Sequence, residues 1–378
     1  MTGVVDLGRP YALTPHEMTT APIQIVAVGD IMLGDSSICV GWGFNSRWTG
    51  ARAFEAMRAA ISVLQGDLVI GNLESPLAVR GQGSTRWQRD QMRALPAVAQ
   101  SLRDLGFDMI SVANNHAVQH GLDGFEQTVQ ALEGAGLLVL GLRGTAPWCS
   151  KPVVVDCRGV RIGVLAYCWR PRQYDDAAPP FAEGSLDSAI ADVRRLCLEC
   201  PMVVVSLHWG DEFLGQPSVE QVEHAARLVG AGALVVVGHH PHVIRPVQRI
   251  GRGLVAYSLG NFASDMTWLP ESRSGAVLHC RVDTDGVDSF STTMVYTEDD
   301  YRLSIDDDAE MPDLSQLGLD ARSYEAGVRS ALGRQRGLAY RHALLNAHRY
   351  KVSVLGELIM RTLRNKVAAA CRRAGRRR

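Results

Sequence analysis

The stretch ALVVVGHHPHVIRPV, residues 233–247, runs an apolar segment straight into three histidines. Leu234 to Val237 are apolar without alternation and end at Gly238. A short β-branched run of this kind reads as a strand buried on both faces. His239, His240 and His242 then stand where that strand ends, and neutral imidazole is the commonest metal ligand. A single histidine after a strand is ordinarily structural; three within four residues ask for company elsewhere.

The same arrangement recurs along the chain. Asp30 follows the apolar run 23–28, and Asn72 and Glu74 follow 68–70. Asn114, Asn115 and His116 follow 109–113. His208-Trp209-Gly210-Asp211-Glu212 follows 203–207, and Asn261 follows 254–257. Taken singly, Asp30 could cap a turn and the paired asparagines could form one. Taken together, six strand ends deliver Asp, Glu, Asn and His to the crevice where open α/β sheets bind ligands. No thiolate accompanies them. Mixed oxygen and nitrogen donors suit one or two divalent ions such as Mn, Fe, Zn or Co.

The surrounding chain supports an α/β fold. Further strands are expected at 137–140, 152–156 and 161–167, with helices at 51–65, 96–105, 123–135, 186–197 and 219–229. Such alternation favours a largely parallel sheet. Residues 276–282 and 289–296 read as a hairpin around Asp285-Gly286. Residues 1–22 read as a flexible leader, 23–297 as the main domain, and 298–378 as an acidic linker followed by a basic helical region. In that last part Val352, Leu355, Ile359, Leu363 and Val367 would form one apolar stripe, ending in a cluster of arginines. A basic amphipathic helix is a candidate contact for a membrane surface or a synthetase.

Composition narrows the function. Across 378 residues, 39 Lys+Arg balance 40 Asp+Glu, so no nucleic-acid partner is expected. The first twenty residues lack a charged start followed by an apolar run, and no segment has the ~20 apolar residues of a membrane span. The expected compartment is the cytoplasm, with peripheral membrane association as an addition. Eight cysteines are scattered, and the lone pair Cys197/Cys200 reads as a helix end.

The motifs GDIMLGD, GNLESPL, SVANNHAVQHG, SLHWGDEF, VVGHHPHVIRPV and AYSLGNF, in this order, resemble those of the CapA-type poly-γ-glutamate capsule biosynthesis proteins of the calcineurin-like metallophosphatase superfamily. The resemblance covers residues 23–296. It implies a metallophosphatase-like four-layer α/β/β/α sandwich, here with a C-terminal helical extension. It also implies that Asp30, Glu74, Asn115, His208, His240 and His242 hold the metal, and that His116, beside Asn115, is the catalytic general acid. Asn72, Asn114, His239, Glu212 and Asn261 would line the site or support its ligands. The chain departs from the superfamily at Met32, where a histidine is usual, and at Val118-Gln119-His120-Gly121, where the branch continues Asp-Tyr-Gly.

Arg86, Arg93 and Arg170 lie in loops between motifs and are candidate contacts for an anionic small molecule or polymer. Trp42 and Trp48 could form a lid or pack down. The leading expectation is a metal-dependent hydrolase or transferase acting on an amide or phosphoester of an anionic, glutamyl-containing substrate. The alternatives are a non-catalytic polymer-binding assembly protein and a general metallophosphodiesterase. Oligomeric state stays open.

Overall fold

A computed structural model describes residues 3–7, 21–170, 178–306 and 317–360. The strands among them are β1 (Val4–Asp6), β2 (Ile23–Ile31), β3 (Leu68–Leu73), β4 (Met109–Ser111), β5 (Leu138–Leu140), β6 (Val153–Cys157), β7 (Val160–Cys168) and β8 (Met202–His208). They continue with β9 (Val235–His239), β10 (Val247–Ile250), β11 (Gly253–Ala256), β12 (Asn261–Ala263), β13 (Ser274–Val282), β14 (Val287–Thr297) and β15 (Leu303–Asp306). One sheet has the order β1-β6-β7-β8-β9-β11-β10; the other runs β15-β14-β13-β2-β3-β4-β5, with β12 beside β2.

The centres of both sheets are parallel. Strands β7, β8, β9 and β11 form one parallel set, and β2, β3, β4 and β5 the other. Antiparallel pairs occur at β10–β11, at β6–β7 and along β2–β13–β14–β15, the expected β13–β14 hairpin among them; the other pairs, β1–β6 and β12–β2 included, are parallel, so the sheets are largely parallel as expected. The parallel sets matter for function, because their carboxyl ends deliver the polar motifs.

The main helices are α1 (Arg86–Asp90), α2 (Val98–Asp104), α3 (Gly121–Gly134), α4 (Leu186–Leu196), α5 (Val219–Ala231) and α6 (Ala321–Leu345). Along β8, Val204 faces the core shared with Val26 and Val28 of β2, while Val203 and Val205 join Val193 of α4 and Leu228 of α5. Both faces of the strand are therefore covered, which is why its sequence does not alternate. Helices α2 and α3 add Leu102, Phe125 and Leu132 to the core of the eight-stranded sheet. The layers are α/β/β/α, as the resemblance implied. Ser185 and Ser218 cap α4 and α5 through reciprocal capping boxes, each cap worth about 1 kcal/mol.

Several expectations are corrected. Segment 51–65 is not one α-helix: 3-10 turns Gly50–Arg52 and Arg58–Val63 flank a short α-helix Ala53–Met57. Ala53, Ala56, Ala60 and Val63 are nonetheless buried, because the segment still winds so that positions three or four residues apart share one side. The leader is not wholly loose, because Val4–Asp6 pair in parallel with Val154–Asp156 and cover an otherwise open sheet edge. The acidic segment contributes β15 to the other sheet, antiparallel to β14.

The C-terminal stripe has a different register. Residues 352–360 are helical, yet Val352 is 89% and Ile359 51% exposed. Leu355 of the expected stripe does pack, together with Val354 and Leu358, against Val40, Trp87 and Tyr350, because the apolar surface these residues form sets the docking face. Leu363, Val367 and the terminal arginines lie outside the described residues. Among the described residues, no helix is long and apolar enough to cross a membrane.

Candidate metal centre

Backbone register brings the polar residues together. On one sheet, Asn261 of β12 pairs with Asp30 of β2, which pairs with Asn72 of β3. On the other, His208 of β8 pairs with His239 of β9. Gly29 permits the approach of β12, since a Cβ there would sit 2.3 Å from the Gly260 oxygen. The two rows meet through short contacts. Asn72 Nδ2 donates to Asp30 Oδ1 at 2.8 Å, and the His240 N–H donates to Asp30 Oδ2 at 2.9 Å. His239 Nδ1 and His242 Nδ1 each lie 3.4 Å from an Asp30 oxygen.

Glu74 occupies the middle. Its Oε1 is 3.5 Å from His208 Nε2 and 3.8 Å from His116 Nε2, and its Oε2 is 3.8 Å from His242 Nδ1. His208 Nε2 also meets Asn115 Oδ1 at 2.7 Å. Three groups of donor atoms, each within 4.8 Å, result: Glu74–His208–His240, Asp30–Glu74–His242 and Glu212–His240–His242. Glu74, His240 and His242 are each shared by two groups. His240 and His242 hold φ of 93° and 56°, conformations costly for residues with a Cβ, so the loop is shaped at the expense of backbone strain.

Electrostatics follows from burial. Burial opposes the charge of Asp30, but His239, His242 and His208 outweigh it and hold the carboxyl below its usual range. Glu74 is pushed well above its usual range by burial, then by Asp30 and Glu212. Burial drives His208 and His240 well below theirs, so both imidazoles are neutral with a lone pair to offer. Cys168 lies in register with His208, but burial lifts its thiol to about 12, so it supplies no thiolate.

The six expected ligands thus lie in one cluster. Asn114 supports it from below: its Nδ2 donates to the Leu73 oxygen, and its Oδ1 accepts the His116 N–H. Asn261 Oδ1 meets His242 Nδ1 at 3.0 Å. Arg170 pairs with Asp211 at 3.1 Å, one residue from Glu212. Arg93 and Arg86 are corrected. Arg93 donates to the carbonyl oxygens of Ala78, Val79 and Arg89 and pairs with Asp90, and Arg86 also pairs with Asp90. Both guanidinium groups close their own loop. Trp42 stacks on His342 at 5.3 Å and meets Tyr350 edge-on at 5.7 Å, so it is packed down. Met32 packs with Met92, Phe213 and Trp268.

Sequence reading missed the partner of His116. Gln119 Oε1 lies 2.7 Å from His116 Nδ1, while burial pushes the imidazole down to about 4. The departure at Gln119 was the available signal. The neighbouring departure, His120, meets the Gln82 N–H and the Gln91 oxygen and is a structural residue.

The sequence profile of the bacterial capsule synthesis protein PGA_cap matches residues 24–266. The chain belongs to the PGA_cap family. It is 25% identical over 277 residues to PGA biosynthesis protein CapA of Bacillus subtilis (strain 168), covering 71% of this chain and 70% of that protein. It is 29% identical over 229 residues to capsule biosynthesis protein CapA of Bacillus anthracis, covering 56% and 54%; the match spans about half that relative's length. Among solved structures, 5'-nucleotidase from Candida albicans SC5314 aligns with TM-score 0.42 and 10% identity, over 85% of this chain and 59% of that one.

The donor set of this PGA_cap chain fits divalent metal. Both Glu74 carboxylate oxygens and both His240 ring nitrogens are buried and receive no hydrogen bond from the described residues. Burying such atoms without partners is costly, and a cation would satisfy the Glu74 oxygens together with one His240 nitrogen. All the donors are oxygen or imidazole nitrogen, which again suits Mn, Fe, Zn or Co.

Proposed function

We propose that the chain is a metal-dependent enzyme acting on an amide or phosphoester bond of an anionic, glutamyl-containing substrate in poly-γ-glutamate-type biosynthesis. The observation that carries this reading is Glu74: a buried carboxyl with no hydrogen-bond donor among the described residues, shared between the groups Glu74–His208–His240 and Asp30–Glu74–His242. Asp30, Glu74, Asn115, His208, His240 and His242 would hold one or two ions. Bound there, divalent metal would supply Lewis acidity toward a carbonyl or phosphoryl oxygen.

The remaining chemistry belongs to side chains. Gln119 orients His116 through Nδ1, leaving Nε2 on the side of Glu74. Neutral at rest, His116 takes up at Nε2 the proton that the attacking water releases and gives it to the departing group. Asn72 and Asn261 keep Asp30 and His242 in place. Arg170, beside Asp211, offers its guanidinium to substrate carboxylate or phosphate.

The test is direct. The full chain, loaded with Mn²⁺, is incubated with γ-glutamyl-p-nitroanilide and with bis(p-nitrophenyl) phosphate. Release of nitroaniline identifies amide chemistry, and release of nitrophenol identifies phosphoester chemistry. Absence of both with Mn²⁺, Zn²⁺, Co²⁺ and Fe²⁺ would sink the catalytic reading.

A further inference from the structure

The loop that carries Glu212 is fastened on all sides. The Trp209 N–H donates to the His239 oxygen at 3.1 Å, and the Phe213 N–H to the Pro241 oxygen at 2.8 Å. Fully buried Arg245 donates from Nη2 to the Asp211 oxygen and from Nε to the Leu214 oxygen, both at 2.9 Å. One guanidinium thus grips the chain on both sides of Glu212. The loop also needs Gly210 at φ 77°, where a Cβ would lie 2.7 Å from Arg245 Nη1.

Arg245 is itself held from α6. The Asp211 N–H donates to the Tyr324 hydroxyl at 3.1 Å. Arg245 Nη1 and the Tyr324 hydroxyl both donate to Gln221 Oε1, at 2.9 and 3.4 Å. A buried guanidinium is tolerated only when its donors are satisfied, and these acceptors satisfy it. Tyr324 lies in the first turn of α6, well beyond residue 266 where the family match ends. A helix outside the matched region therefore reaches to within one residue of Glu212, whose carboxylate belongs to a donor group with His240 and His242.

We infer that α6 braces the metal centre: Tyr324 is a positioning residue that acts through Arg245 and loop 209–214 to hold Glu212 as a ligand beside His240 and His242. This rests on the metal-dependent reading above. Without the brace, Glu212 swings on its loop and the ion faced by these histidines is held less tightly.

Mn²⁺ titration calorimetry on the full chain tests the brace. Tyr324→Phe should weaken Mn²⁺ binding by about tenfold, the lower end for outer partners of metal sites, and Glu212→Gln, which loses the ligand itself, should weaken it at least as much. Tyr324→Phe should add nothing in the Glu212→Gln background. Gln221→Met, which removes the shared acceptor, should reproduce Tyr324→Phe; because Gln221 also closes the capping box of α5, the fold of every variant is checked by circular dichroism. Wild-type affinity in Tyr324→Phe, or the same loss in both backgrounds, would overturn the brace alone. A wild-type chain that binds no Mn²⁺ would overturn the metal reading as well.

Discussion

Two pairs of buried carboxylates begin a few residues apart, at Asp30 and Asp35, and differ in what surrounds them. Asp35 accepts from the Gly41 N–H, the Ser46 N–H and the Ser46 hydroxyl, and Asp265 Oδ2 accepts from the Ser36 and Phe44 N–H groups. Burial, with Asp35 beside it, pushes Asp265 up to about 7. That pair fastens the loop after β2 with backbone donors, and it relieves repulsion by keeping a proton. The Asp30–Glu74 group is equally buried but faces imidazoles, and Glu74 has no donor among the described residues. Burial of acids alone does not mark a site; the donors around them do. Backbone amides serve Asp35 and Asp265 Oδ2 and leave only Asp265 Oδ1 unpartnered, whereas both Glu74 oxygens lack a partner among the described residues and stand among imidazoles.

The contrast can be broken by mutation. His240→Ala should abolish metal uptake, a larger effect than the ~10–100-fold typical of outer partners, as read by elemental analysis. Normal metal content would refute the ligand assignment. His116→Ala should retain metal and lower turnover by about 10²–10⁴-fold; unchanged turnover would remove its role in proton transfer.

Asp265→Asn should leave metal content intact and change the pH dependence of stability. Folded Asp265 keeps its proton up to about 7, while the unfolded carboxyl releases it near 3.8. The unfolded state therefore binds fewer protons between these values, and wild-type stability falls as pH rises through that window. The variant should show a smaller Tm difference between pH 5 and pH 8. An identical difference would contradict the account. The smallest effects belong to the corrected arginines. Arg93→Ala should cost about 1.5–3 kcal/mol through its lost charged hydrogen bonds, and Arg86→Ala should stay within about 0.5 kcal/mol, both by denaturant unfolding with metal content unchanged.

Much of the centre was legible because each ligand directly follows an apolar run. The strand-ending positions of Asp30, His208 and His239 follow from local sequence, and parallel pairing then places them in register. What escaped notice depends on contacts distant in sequence. Arg245 stands inside the quoted histidine motif, yet its burial against Asp211, Leu214 and Gln221 has no local signature. The Tyr324 contact spans 113 residues. The C-terminal stripe was misjudged for a related reason. Val354 rather than Val352 is buried because Trp87 and Val40, remote in sequence, form the surface that receives it. Arg93 read as a substrate contact because its carbonyl partners at Ala78 and Val79 come into reach only when the loop folds back.

The central claim is that Asp30, Glu74, Asn115, His208, His240 and His242 together grip divalent metal. Elemental analysis of the full chain, purified without chelator, tests it most directly. The account predicts about one or two equivalents of a divalent transition ion, lost in His240→Ala and kept in Asp265→Asn. A folded chain that carries no such ion and takes up none from added Mn²⁺ or Zn²⁺ would contradict it.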